Sequence, residues 1–114
     1  MCGICGLFGD FDPRQASEWV VRMAGPMRHR GPDGNGQMRN GWFALGHTRL
    51  AVIDTSDAAQ QPMTHHGGRD VIVFNGELYN YKELYVNYCA EDESVNRNSD
   101  TAVLLSLYER FNKD

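Results

Sequence analysis

The second residue of this chain is a cysteine, behind an initiator methionine that can be removed because the residue after it is small. With Met1 gone, Cys2 carries a thiol and a free α-amine on one framework, a nucleophile arriving with its own base. A thiol attacks only as thiolate, and its ordinary pKa of about 8.5 lies near the ~7.7–8.0 of an α-amine, so the amine takes the thiol proton near neutral pH. Taken alone, a small second residue is a common coincidence. Cys2-x-x-Cys5 also has the spacing of a redox or metal pair, but Cys89 is the one further thiol and no second CxxC completes a zinc set. Three other features are ordinary when read singly. Arg49 is then a surface charge, Asn75-Gly76 a hairpin turn, and Asp100 an acid at a helix start.

The chain that must position these residues has 114 residues, enough for one small domain with one core. Apolar residues make up 41% and charged residues 23%, an ordinary globular composition that excludes a fibrous repeat or a disordered segment. The net charge of −4 argues against a nucleic-acid face. No stretch approaches the ~18 apolar residues of a membrane span. The N-terminus lacks the layout of a signal peptide, so a cytoplasmic protein with reduced thiols is expected.

Ile4-Cys5-Gly6-Leu7-Phe8-Gly9 reads as a short buried strand that seats Cys2 at its end. Asp12-Pro13 offers a cap and a first-turn proline for a helix carrying Ala16, Trp19, Val20, Met23, Ala24 and Met27, with Gly25-Pro26 forcing a kink or an end near Ala24. RHRGPDGNG at 28–36 reads as an ordered loop. Residues 42–53 read as two strands or one bent strand, interrupted at Gly46-His47-Thr48-Arg49. Val71 to Phe74 forms a strand running into the Asn75-Gly76 turn, where glycine permits positive φ. A second helix then presents Leu78, Tyr81, Leu84, Tyr85 and Tyr88 on one side. After a polar loop over 90–98, Ser99 caps a last helix facing the core with Val103, Leu104, Leu107, Tyr108 and Phe111. His65-His66 sits in a glycine-flanked polar loop and reads as solvated.

The order and spacing of Cys2-Gly3-Ile4, RHRGPDG at 28–34, GHTRLAVID at 46–54, FNGELYN at 74–80 and Ser99-Asp100-Thr101 closely resemble the glutaminase domain of class II glutamine amidotransferases, the N-terminal-nucleophile hydrolases. RHRGPDG and RLAVID point within that family to the asparagine synthetase (glutamine-hydrolysing) branch. The resemblance implies release of ammonia from glutamine through a Cys2 γ-glutamyl thioester, with the Asn75 side-chain amide and the Gly76 N–H as oxyanion donors. Arg49 would bind the α-carboxylate of L-glutamine as a planar, always-charged fork, and Glu77 and Asp100 would receive its α-ammonium. His29 and His47 belong to the motifs as positioning residues. No metal or cofactor is implied for this domain.

The implied fold is α+β, the first part of a four-layer α/β/β/α sandwich that is incomplete at its C-terminal end. The resemblance accounts for residues 1–114 as a partial glutaminase domain, with the synthetase domain that uses ATP and Mg2+ absent. Ammonia would pass to that domain in a longer chain, and aspartate is the default acceptor, with a sugar or an antibiotic precursor as alternatives. An open sheet face and edge lead us to expect self-association or rearrangement of the chain. The rival reading is a remnant that keeps the motifs and binds a partner without catalysis. Departures from the family pattern are Pro26, Arg97-Asn98 before Ser99, and Ala102 where a glutamate usually completes a capping box.

Overall fold

The structure, a computed structural model, describes residues 2–51, 56–65 and 69–112. Met1, the Val52-Ile53-Asp54 end of RLAVID and His66 lie outside the described residues. The described chain is a mixed α/β arrangement with two antiparallel sheets, divided between two compact units.

The first unit runs through Ala51 and adds Gln60–Pro62 and Val73–Gly76. It contains strand β1 (Gly3–Phe8), helix α1 (Pro13–Ala24), a 3-10 turn at Gly25–Met27, and strands β2 (Gly34–Arg39) and β3 (Phe43–Arg49). The sheet order is β1-β3-β2, so β3 is central and pairs antiparallel on both sides. Cys2 therefore sits at the strand end, as its sequence context requires. The Asp12 carboxylate accepts the Arg14 N–H at 2.8 Å, Pro13 opens α1, and the helix ends at Ala24 before Pro26. Its buried residues Ala16 and Val20 close on Ala44, with Cys5, Leu7 and Phe11 packed around them. Ile4 and Phe8 alternate with Cys5 and Leu7 along β1 and are exposed.

Two expectations change in this unit. Residues 34–36 open β2 and do not belong to a loop, because the register Gly34↔Arg49 to Arg39↔Ala44 draws them into the ladder despite their glycines. The hairpin between β2 and β3 turns at Gly41-Trp42, closed by the Asn40 N–H donating to the Phe43 carbonyl at 2.9 Å, and the Asn40 Oδ1 accepts the N–H groups of Trp42 and Phe43 at 2.7 and 3.0 Å. Gly46-His47-Thr48-Arg49 is likewise the buried half of β3 and no interruption. Glycine stands at 46 because a Cβ there would lie 2.7 Å from Val20 Cγ1 and 2.8 Å from the Cys5 Sγ.

The second unit holds Met63–Ile72 and the chain from Glu77 onward, with a 3-10 turn at Asp57–Ala59. Strand β4 (Met63–His65) pairs antiparallel with β5 (Asp70–Ile72), and helices α2 (Tyr81–Tyr88) and α3 (Asp100–Phe111) follow. The Ser99 hydroxyl accepts the Ala102 N–H at 3.1 Å, the expected N-cap. Cys89, Val95 and Val103 form the core, covered by Tyr81, Leu84, Tyr85 and Leu107. On α3 the fully buried apolar residues are Val103 and Leu105, while Tyr108 and Phe111 are exposed.

His65 departs from the solvated loop read in the sequence. It ends β4, with Nδ1 2.5 Å from Glu109 Oε2 and Nε2 2.7 Å from Ser94 Oγ. β5 also stops at Ile72, short of the expected Phe74, because the Phe74 N–H donates to the side chain of Gln61 and not to a strand.

Candidate active site

The Cys2 thiol is docked on the backbone just past the end of β3. Its sulfur accepts the Leu50 N–H at 3.3 Å and its S–H donates to the Leu50 carbonyl at 3.6 Å. The Arg30 Nε–H donates to the Cys2 carbonyl at 3.4 Å, and the adjacent Gly3 N–H donates to Thr48 Oγ1 at 3.1 Å. The Thr48 hydroxyl in turn donates to the Met27 carbonyl at 3.2 Å, tying β1, β3 and the turn after α1 into one knot. Thr48 is fully buried.

The RHRGPDG segment braces the same corner. The Asp33 N–H donates to the Arg49 carbonyl at 2.9 Å, and Asp33 Oδ2 accepts the Ala51 N–H at 2.8 Å. Asp33 thus fixes the residues on both sides of Leu50, the one that holds the thiol. The sequence alone gives Asp33 a place in the RHRGPDG motif and no role. Arg49 is 5% exposed, which rejects the reading of it as a surface charge. A guanidinium this buried demands anionic or polar partners.

Asn75 and Gly76 belong to this unit. They follow no hairpin, since β5 has already ended, and Gly76 does not use positive φ. A Cβ at Gly76 would instead lie 2.9 Å from the ring of Phe74. His47 is fully buried on β3, and among the described residues neither ring nitrogen finds a hydrogen-bond partner of good geometry. Burial pushes its pKa down; the nearby Phe74 backbone offsets this in part, and the Arg49 charge adds to the lowering. Burial thus favours the neutral imidazole. The Cys5 thiol is held protonated by burial, against a smaller opposing effect of the Gly46 backbone, and is suited to the core role that its contacts with Ala16 and Val20 describe.

Glu77 and Asp100 both belong to the second unit. Asp100 Oδ2 accepts the Leu78 N–H at 3.0 Å, and Oδ1 accepts the Thr101 N–H at 2.8 Å. Asp100 is buried and Glu77, one residue before Leu78, is exposed. Asp100 is thus more than a helix-start acid, since it fastens the segment after Gly76 to α3. Among the described residues, no group of three His, Cys, Asp or Glu side chains is arranged to hold a metal ion.

A glutamine amidotransferase domain model matches residues 1–114. The chain is 36% identical over its full length to the asparagine synthetase [glutamine-hydrolyzing] of Brassica oleracea, covering 19% of that protein. It is 37% identical to asparagine synthetase [glutamine-hydrolyzing] 1 of Arabidopsis thaliana, again over the full chain and 19% of the relative. The corresponding figures for asparagine synthetase [glutamine-hydrolyzing] 1 of Bacillus subtilis are 34% and 18%. A cysteine at position 2 docked at a strand end, a buried arginine beside it, and matches that span every residue agree with one another: this chain belongs to the glutamine amidotransferase domain family, on its asparagine synthetase branch.

Proposed function

We propose that the chain hydrolyses L-glutamine to glutamate and ammonia through a thioester on Cys2. The observation that carries this reading is the Cys2 sulfur accepting the Leu50 N–H at 3.3 Å, one residue past the buried Arg49, in a chain matched end to end by the family. Removal of Met1 would free the α-amine to take the thiol proton. The thiolate attacks the amide carbon, the Asn75 amide and Gly76 N–H stabilise the oxyanion, and the protonated amine returns its proton to the leaving ammonia. Water then attacks the thioester by the same path in reverse. Arg49 receives the substrate carboxylate and Glu77 with Asp100 its ammonium. Each oxyanion donor is worth about 3 kcal/mol in comparable sites.

The sheet β1-β3-β2 with α1 on one face is consistent with the outer helix layer and one central sheet of the four-layer sandwich. We assign ammonia to a synthetase portion of a longer chain, with ATP and Mg2+ acting there and aspartate as acceptor. The chain spans between 18% and 25% of the length of relatives it matches. Intact-mass measurement after exposure to a diazo-ketone analogue of glutamine tests the reading. One adduct on Cys2, absent in Cys2→Ala and suppressed by glutamine, is expected. Retained Met1 with no adduct would sink the proposal.

A further inference from the structure

Asn75 and Gly76 have no regular element of their own to hold them, since β5 ends at Ile72 and α2 begins at Tyr81. The Phe74 N–H donates to Gln61 Oε1 at 2.6 Å, a bond that reaches 13 residues back along the chain. Gln61 is 7% exposed. A donor facing it requires the carboxamide oxygen, not its nitrogen, at that point. Gln61 is itself seated by backbone against backbone. A Cβ at Gly36 on β2 would lie 2.2 Å from the Gln61 carbonyl oxygen, so glycine alone permits the crossing. Gly36 stands opposite His47 in the β2-β3 register, and the His47 ring lies beside the Phe74 backbone. Sheet, buried Gln61 and half-buried Phe74 thus form one connection within the first unit, ending at Asn75.

We propose that Gln61 is a positioning residue for the oxyanion donors: its carboxamide oxygen fixes Phe74, and through it the Asn75 amide and the Gly76 N–H. The proposal rests on the glutaminase reading for its catalytic purpose, and on the Phe74 bond for its mechanism. Donors pre-set in a water-poor site stabilise the transition state more than the bound substrate, and a misplacement of about 1 Å costs on the order of 100-fold in rate. Loss of the anchor should therefore act on kcat more than on KM.

The test compares Gln61→Met, similar in size without the acceptor, with Gln61→Glu, which keeps an acceptor oxygen. Amide exchange of Phe74 and Gly76 is followed by NMR on the whole chain, together with glutamate release and alkylation of Cys2 by iodoacetamide. In Gln61→Met we expect exchange at Phe74 to accelerate about tenfold or more while β1 and β3 amides keep their protection. Glutamine kcat should fall roughly 30-fold or more, with KM nearly unchanged. Iodoacetamide alkylation forms no oxyanion and should continue at the wild-type rate. Gln61→Glu should restore Phe74 protection.

Unchanged Phe74 exchange in Gln61→Met would overturn the anchor. Equal losses of turnover and alkylation would overturn the positioning role, because the whole site would then have collapsed. A wild-type chain that alkylates normally but never releases glutamate would overturn the glutaminase reading, and with it the catalytic purpose of Gln61, while leaving the Phe74 anchor standing.

Discussion

Replacing Thr48 with valine keeps the side-chain volume and removes one hydroxyl, which makes it a clean probe of the knot that holds Cys2. The hydroxyl oxygen accepts the Gly3 N–H at 3.1 Å and its proton goes to the Met27 carbonyl at 3.2 Å, with Thr48 fully buried. Gly3 is buried, so its N–H loses its partner without gaining water, at a cost of about 1–3 kcal/mol. Met27 is half-buried, so its carbonyl is partly rehydrated and loses nearer ~1 kcal/mol. The total is about 2–4 kcal/mol, or roughly 8–16 °C of melting temperature for a chain of this size. Thr48→Ser, which keeps both bonds and loses one methyl, should cost only ~1 kcal/mol. Thermal and urea unfolding of both variants measure the difference, and alkylation of Cys2 should quicken in Thr48→Val as the neighbouring backbone loosens. A valine variant at least as stable as the serine variant would refute the account, since packing and not hydrogen bonding would then hold β1 to β3.

Three further outcomes follow from particular contacts. Because burial lowers its pKa, His47 binds fewer protons folded than unfolded; its contribution to stability is full above its ordinary value of 6.5 and is lost as pH falls below it, by up to about 1.4 kcal/mol per pH unit. Urea titrations from pH 7.5 to 5 should show that slope in the wild type and a flatter one in His47→Phe. Gly36→Ala drives a methyl into the Gln61 carbonyl and should destabilise the chain by about 2 kcal/mol or more, read from the urea midpoint, while raising Phe74 amide exchange. Glu109→Gln removes the carboxylate 2.5 Å from His65 Nδ1 and should cost about 1–2 kcal/mol, with amide exchange rising at Met63–His65 and not in β1.

Local chemistry made much of the architecture legible. Asp12-Pro13 and Ser99 mark the starts of α1 and α3 because a cap satisfies N–H groups within three residues of itself, and Pro26 ends α1 for an equally local reason. The glycines that open β2 and the polar run inside β3 carry no local strand signal, because pairing along β3, on one side for β2 and on both for β3, outweighs their low intrinsic preference. The turn between β2 and β3 is held by the Asn40 side chain, and Gly41 does not adopt the positive φ that an Asn-Gly hairpin turn uses. His65 looked solvated since neither Ser94 nor Glu109 is near it in sequence.

By itself the sequence determined the type of chemistry on offer: a thiol beside the N-terminus, an arginine, an Asn-Gly pair and two acids in the order of the amidotransferases. Side-chain identity and spacing are covalent facts that survive without a fold. Tertiary structure alone decided which backbone groups those side chains meet. Cys2 finds Leu50 across 48 residues, and Gly3 finds Thr48 across 45. Such contacts exist only once β1 has paired with β3, because closing a loop that long has no local signature and is repaid by burial of the whole sheet.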